Sequence, residues 1–85
     1  MNNYQVFFSK KAQKDINQLT DKQREKLKEI INEVLRVNPY LGKQLKRELK
    51  GLYSYRLNIK DRILYEIFEE DKSILIVRTK THYGE

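Results

Sequence analysis

The 85 residues, 39% hydrophobic and 35% charged, fit one small domain spanning residues 1–85 and are too apolar for a disordered chain. Eighteen Lys and Arg against twelve Asp and Glu give a formal charge of +6, which favours polyanionic partners. The chain has no cysteine, which excludes disulfides and thiolate metal sites, and its one histidine argues against a His-rich zinc site.

No apolar run approaches the ~20 residues of a membrane span. Phe7-Phe8 runs straight into Ser9-Lys10-Lys11, so the start of the chain lacks a signal-peptide core. The expectation is a cytoplasmic protein with no membrane partner, no metal and no cofactor.

Tyr4, Val6 and Phe8 alternate with Gln5 and Phe7, the period of a strand. Ser9 is placed to cap a short helix from Lys10 to near Gln18, with Ala12, Ile16 and Leu19 as a narrow apolar stripe. Thr20 and Gln23 have the spacing of a capping box. They open a stronger helix that gathers Leu27, Ile30, Ile31, Val34 and Leu35 on one face. Asn38-Pro39 ends it, because proline disfavours helix in the residue before it. A very short link makes the two helices a hairpin.

Tyr40 to Arg47 reads as a basic loop around Gly42. Tyr53, Tyr55 and Leu57 alternate with Ser54, Arg56 and Asn58 as a second strand. Asn58–Asp61 turns into a strand over Arg62–Phe68. Glu69–Ser73 turns again, and Ile74 to about Lys80 closes the sheet. The order β-α-α-β-β-β predicts an α+β fold: a helical hairpin packed on one face of a small, mainly antiparallel sheet.

Hairpin geometry places Arg62 beside about Leu57 on one side and about Lys80 on the other. One sheet end then collects Arg56, Arg62, Lys80 and His82. If Tyr55 and Leu57 face the helices, Ser54 and Arg56 face away, and Arg62 joins them on the open face. These residue types suit phosphodiester chemistry. Arginine matches phosphate oxygens with a planar, permanently charged fork, and histidine changes charge near neutral pH. Tyr83 is placed to position a proton donor or to stack on a base. Lys43, Lys46, Arg47 and Lys50 form a denser basic run suited to nucleic acid. Against these stand plainer readings: surface charges on a strand, core tyrosines and a solvated loop.

Lys46-Arg47-Glu48-Leu49-Lys50-Gly51-Leu52-Tyr53-Ser54-Tyr55-Arg56-Leu57, Asp61-Arg62-Ile63-Leu64-Tyr65 and the closing His82-Tyr83 resemble the RelE/ParE toxins of bacterial toxin–antitoxin pairs, the YoeB/Txe branch above all. The resemblance covers nearly the whole chain. It implies a microbial-ribonuclease-like fold and an endoribonuclease that cuts mRNA in the ribosomal A site, on the 70S ribosome, and so stops translation.

Carried over by position, Arg62 is the phosphate-stabilising arginine, His82 the general acid and Tyr83 the terminal tyrosine. Arg56 and Lys46 are basic phosphate-contacting positions; Lys43, Arg47 and Lys80 are further candidates for RNA contact. The glutamate that the YoeB branch carries as general base is Lys43 here, and Glu48, the nearest carboxylate, is the candidate base. The resemblance also implies an acidic antitoxin of the YefM or Phd kind that folds on binding. Two rival functions remain: a ParE-like poison of DNA gyrase, and a catalytically weakened member of the fold.

Overall fold

Ser9 marks where the first strand gives way to helix. Its backbone is extended, its Oγ accepts the Ala12 N–H at 3.1 Å, and its hydroxyl donates to the Val77 carbonyl at 2.8 Å. In the computed structural model, which describes residues 3–81, β1 (Gln5–Phe8) therefore leads directly into α1 (Lys10–Gln18). The capping box expected at Thr20 is present: Thr20 Oγ1 accepts from the Gln23 N–H at 3.1 Å, and Gln23 Oε1 accepts from the Thr20 N–H at 2.9 Å. It starts α2 (Asp21–Ile30). Arg24 fastens the two helices together, donating to the carbonyls of Ile16 at 2.9 Å and Asn17 at 3.1 Å near the end of α1.

Beyond Ile30 the helix widens into a π turn, Ile31–Leu35, closed by the Arg36 N–H on the Ile31 carbonyl at 2.9 Å. Arg36 then joins β1: its carbonyl accepts the Tyr4 N–H at 2.9 Å, and its Nε donates to the Tyr4 carbonyl at 3.1 Å. A 3₁₀ turn follows at Pro39–Leu41.

The sequence reads Tyr40–Arg47 as a loop, but Lys43–Gln44 form a short edge strand, β2, antiparallel to β3 (Leu52–Arg56). Between them run a 3₁₀ turn at Arg47–Leu49 and a tight turn in which Lys50 (φ −56°, ψ 134°) precedes Gly51 at φ 98°. That is type II geometry, which calls for glycine at the second position. The remaining strands are β4 (Arg62–Phe68) and β5 (Ser73–Thr81), linked by a 3₁₀ turn at Glu69–Asp71.

The five strands lie in the order β1-β5-β4-β3-β2, with β1 parallel to β5 and the other pairs antiparallel. Tyr4, Ile63, Tyr65, Ile74 and Ile76 pack with Ala12, Leu19, Leu27, Ile30, Ile31 and Leu35 of the helices, and Val6, Phe8, Tyr53, Tyr55 and Ile67 join them. By strand alternation Ser54, Arg56, Arg62 and Leu64 occupy the opposite face.

The register expected from the sequence is off by one residue on each side of Arg62, whose partners are Arg56 and Thr81. On the Arg56 side the Asn58–Asp61 turn sets the spacing. Asn58 Oδ1 accepts the N–H groups of Lys60 and Asp61, both at 2.8 Å, and the Leu57 and Asn58 N–H groups donate to the Asp61 carbonyl at 3.0 and 3.1 Å. On the Thr81 side β5 carries irregularities that no residue pattern announces.

Candidate functional site

Arg56 and Arg62 face each other across the β3–β4 ladder. Arg56 is exposed and Arg62 half-buried. Arg62 Nε donates to the hydroxyl of Ser54, which is 1% exposed, so the guanidinium is aimed by a rigid neighbour. Lys43 lies opposite Ser54 on the other side of β3. These residues, with Lys26 and Ile30 of α2, Leu41, Gly42 and Tyr55, line a cleft of about 500 Å³. Four cationic residues border this one opening: Lys26 from α2, and Lys43, Arg56 and Arg62 from the sheet. Among the described residues, neither Arg56 nor Arg62 is ion-paired. Two arginines without an ion-pair partner among the described residues, beside an apolar wall, have the chemistry that suits an anionic ligand such as a phosphate.

The wall at Pro39–Lys43 is held by a chain of tyrosines. Tyr65 is fully buried, and its hydroxyl donates to the Pro39 carbonyl at 2.6 Å. Burial pushes that phenol well above its ordinary range, while the Gly42 N–H pulls the other way. Gly42 lies so close that a Cβ there would collide with the Tyr65 hydroxyl and stand 3.0 Å from the Ser54 carbonyl oxygen. Tyr53 stacks on Tyr65 with ring centroids 5.7 Å apart, and Tyr40 meets Tyr53 edge-on at 5.8 Å.

The hydroxyls of Tyr40 and Tyr4 both donate to Glu69 Oε1 at 2.7 Å, and Lys72 Nζ reaches Oε2 at 2.5 Å. The hydrogen bond from Lys72, then those from Tyr40 and Tyr4, draw the Glu69 carboxyl down to about 2. The Glu69 carboxylate in turn pushes the Tyr40 phenol up to about 12.

The other sequence-derived candidates are spread more widely. Lys46 and Arg47, both exposed, line a second, smaller cleft of about 240 Å³ with Gln44, Leu45 and Lys50. Glu48 is exposed in the 3₁₀ turn between Arg47 and Leu49, and the linings of both clefts are drawn from other residues. Lys80 is exposed on β5, next to the cross-strand partner of Arg62. His82 and Tyr83 lie outside the described residues. No group of three or more His, Cys, Asp or Glu is arranged for a metal ion among the described residues, and no helix there is long and apolar enough to cross a membrane.

The family model for the ParE toxin of the type II toxin–antitoxin system matches residues 6–82. The chain belongs to this toxin family. The toxin is similar to solved relatives over nearly its full length. The RelBE2 toxin–antitoxin complex of Mycobacterium tuberculosis matches at 31% identity and a TM-score of 0.84, over 93% of this chain and 98% of that one. The YoeB–YefM complex of Staphylococcus aureus matches at 30% identity and 0.76, over 94% and 98%. The YoeB dimer of the same organism matches at 31% and 0.77, over 95% and 99%. Free RelE of E. coli, at 20% identity and a TM-score of 0.78, shares the fold. No curated protein sequence matches the toxin.

Two residues of the toxin, one lining the cleft and one bonded to β5, escape a reading of the sequence. Lys26 looks like part of the solvent face of α2. Its signal is its place beside Leu27 and four residues before Ile30, on the rim of the apolar face. Asp15 looks like one more exposed charge of α1, yet it is only 6% exposed. Its signal is helical phase: position 15 falls within the stripe of Ala12, Ile16 and Leu19.

Proposed function

We propose that this toxin is an endoribonuclease that acts on mRNA in the A site of the ribosome and stops translation. The observation that carries this reading is the direct pairing of Arg56 with Arg62 inside a cleft that also takes Lys26 and Lys43. In the scheme, the 2′-oxygen bonds to the adjacent phosphorus as the bond from phosphorus to the 5′-oxygen breaks. The products are a 2′,3′-cyclic phosphate and a 5′-hydroxyl. The proton lost by the 2′-hydroxyl is balanced by one delivered to the 5′-oxygen.

Arg62, aimed by Ser54, and Arg56 stabilise the charge that grows on the non-bridging oxygens, and the scheme calls on no metal. Lys26 and Lys43 hold the neighbouring phosphate, and Lys46, Arg47 and Lys80 extend the contact along the strand. His82 serves as the acid on the leaving oxygen, with Tyr83 beside it in sequence to position the proton donor. Glu48 is exposed and outside the cleft lining, so the proton of the 2′-hydroxyl passes to solvent water, and the arginines carry most of the rate.

The same reading gives the toxin a cytoplasmic setting and an antitoxin of its own. Solved relatives are toxin–antitoxin complexes. A net charge of +6 suits an acidic partner segment. A groove of about 740 Å³ along β1 and α2 supports this, with apolar Val6, Phe8 and Leu27 beside Lys28 and Arg36.

A second reading has one observation in its favour: the matching family model is that of ParE. Under it the toxin is a protein-binding poison of DNA gyrase and cleaves nothing. Labelled mRNA in a translating extract separates the two. Cleavage that requires ribosomes is the expected result; intact mRNA together with stalled gyrase overturns the nuclease reading.

A further inference from the structure

Asp15 is not among the residues that line the cationic cleft, yet it is bonded to the strand that ends beside Arg62. Its Oδ2 accepts Arg78 Nε at 2.7 Å, the Thr79 N–H at 3.0 Å and the Lys80 N–H at 3.3 Å, and its Oδ1 accepts Arg78 Nη2 at 3.2 Å. A carboxylate that takes two consecutive main-chain N–H groups from a strand marks a departure from ladder pairing.

The register shows that departure. From Phe68↔Ser73 to Tyr65↔Ile76 the β4–β5 ladder is regular, and continued unchanged it would set Thr79 opposite Arg62. Two one-residue shifts, before and after Leu64↔Arg78, set Thr81 there instead. Two residues of strand are about 7 Å. The second shift falls at Thr79 and Lys80, whose N–H groups Asp15 receives. The arrangement has a cost: the Thr79 hydroxyl is fully buried with no hydrogen-bond partner among the described residues.

We propose that Asp15 is a positioning residue of the arginine site: by holding the bulged main chain of Thr79 and Lys80 it fixes the second of the two register shifts, so that Thr81 and not Lys80 lies opposite Arg62. His82 follows Thr81 directly in the sequence. The register thus sets which residue of β5 stands opposite Arg62, one position before the proposed proton donor in the sequence. The functional half of this proposal rests on the nuclease reading above; the register half does not.

The test pairs NMR cross-strand contacts from Arg62 with single-turnover cleavage of ribosome-bound mRNA, using the full-length toxin. In D15A the contacts of Arg62 move from Thr81 to Lys80. The cleavage rate at saturating ribosome complex falls about a hundredfold or more, since a misplacement near 1 Å already produces a loss of that size. The ribosome concentration for half-maximal rate changes far less than the rate, because Lys26, Lys43, Arg56 and Arg62 lie outside β5 and Lys80 is the one proposed contact that the bulge carries. D15N retains an oxygen for the Thr79 and Lys80 N–H groups and keeps both the register and a rate near that of the unaltered toxin. V34A, a core variant, loses stability and keeps its rate.

If D15A does not fold, D15E, with its carboxylate one methylene farther out, replaces it with the same expectations. A folded D15A or D15E that retains the Arg62–Thr81 contacts overturns the proposal. A shifted register with unchanged cleavage overturns its functional half. If the unaltered toxin cleaves no mRNA, the nuclease reading fails, and the NMR contacts still decide the register claim.

Discussion

Arg56 and Arg62 are direct cross-strand partners, two cations set opposite each other on the sheet face turned away from the helices. Like charges in that relation repel by roughly 0.2–1 kcal/mol. A fold that keeps them together stores a small repulsion that a bound phosphate would relieve. Arg56→Ala is therefore expected to leave the melting temperature unchanged or slightly raised. Ribosome-dependent cleavage should fall about a hundredfold or more, as when a preorganised cation or donor is removed. Arg56→Lys should recover only part of this, because lysine lacks the planar fork. Thermal melts and cleavage rates on the same preparations check both halves.

Salt titration measures how many cations engage. Each phosphate neutralised on a single strand contributes about −0.7 to the slope of log affinity against log salt. If Lys26, Lys43, Arg56 and Arg62 each engage one phosphate, a short RNA analogue binds with a slope of about −3. Lys43→Gln should lower its magnitude by about 0.7, whereas Lys22→Gln, on α2 away from this cleft, should leave it unchanged.

Gly42 is the point where the cleft wall meets the core. Its φ is −73°, which any residue adopts, so the requirement is for space. A methyl group would drive into the hydroxyl of a buried, hydrogen-bonded Tyr65. Gly42→Ala is expected to destabilise the toxin by about 1–3 kcal/mol, as overpacking does. Denaturant titration, with the near-ultraviolet signal of the tyrosine stack, measures it.

Glu69 makes the wall sensitive to acid. Its carboxyl titrates at about 2 in the folded chain instead of 4.5. A group whose folded pKa is depressed contributes stability that is present above its ordinary value and lost as pH falls through the folded one. The Tyr40–Glu69–Tyr4 fastening should therefore hold at neutral pH and loosen between pH 4.5 and about 2. Tyr40, raised to about 12, gives the complementary loss only in strong alkali. Glu69→Gln should remove the Glu69 part of this acid-side dependence, seen by following tyrosine absorbance and amide exchange at Tyr40 against pH.

Features set by neighbouring residues were legible in the sequence. The Ser9 cap, the Thr20–Gln23 box and the alternation that sends Tyr53, Tyr55, Ile63 and Tyr65 to the core each follow from a local rule. The same alternation put Arg56 and Arg62 on the open face together. What escaped depends on distant partners. Strand β2 is two residues that pair only because Tyr53 and Ser54 pass beside them. The bulge of β5 at Thr79 and Lys80 is hydrogen-bonded to a carboxylate more than sixty residues earlier in the chain. The Tyr4–Glu69 bond likewise joins the two ends of the fold. No local periodicity carries such information, because the contact exists only after the sheet has closed.

The most direct measurement of the central claim is single-turnover cleavage of end-labelled mRNA on programmed ribosomes, comparing the unaltered toxin with Arg62→Ala and identifying the new 3′ end. The expected result is a 2′,3′-cyclic phosphate end, formed only in the presence of ribosomes, and a rate about a hundredfold lower or more for Arg62→Ala. Cleavage by folded Arg62→Ala at the unaltered rate, or a new end bearing a free 3′-hydroxyl, would contradict it.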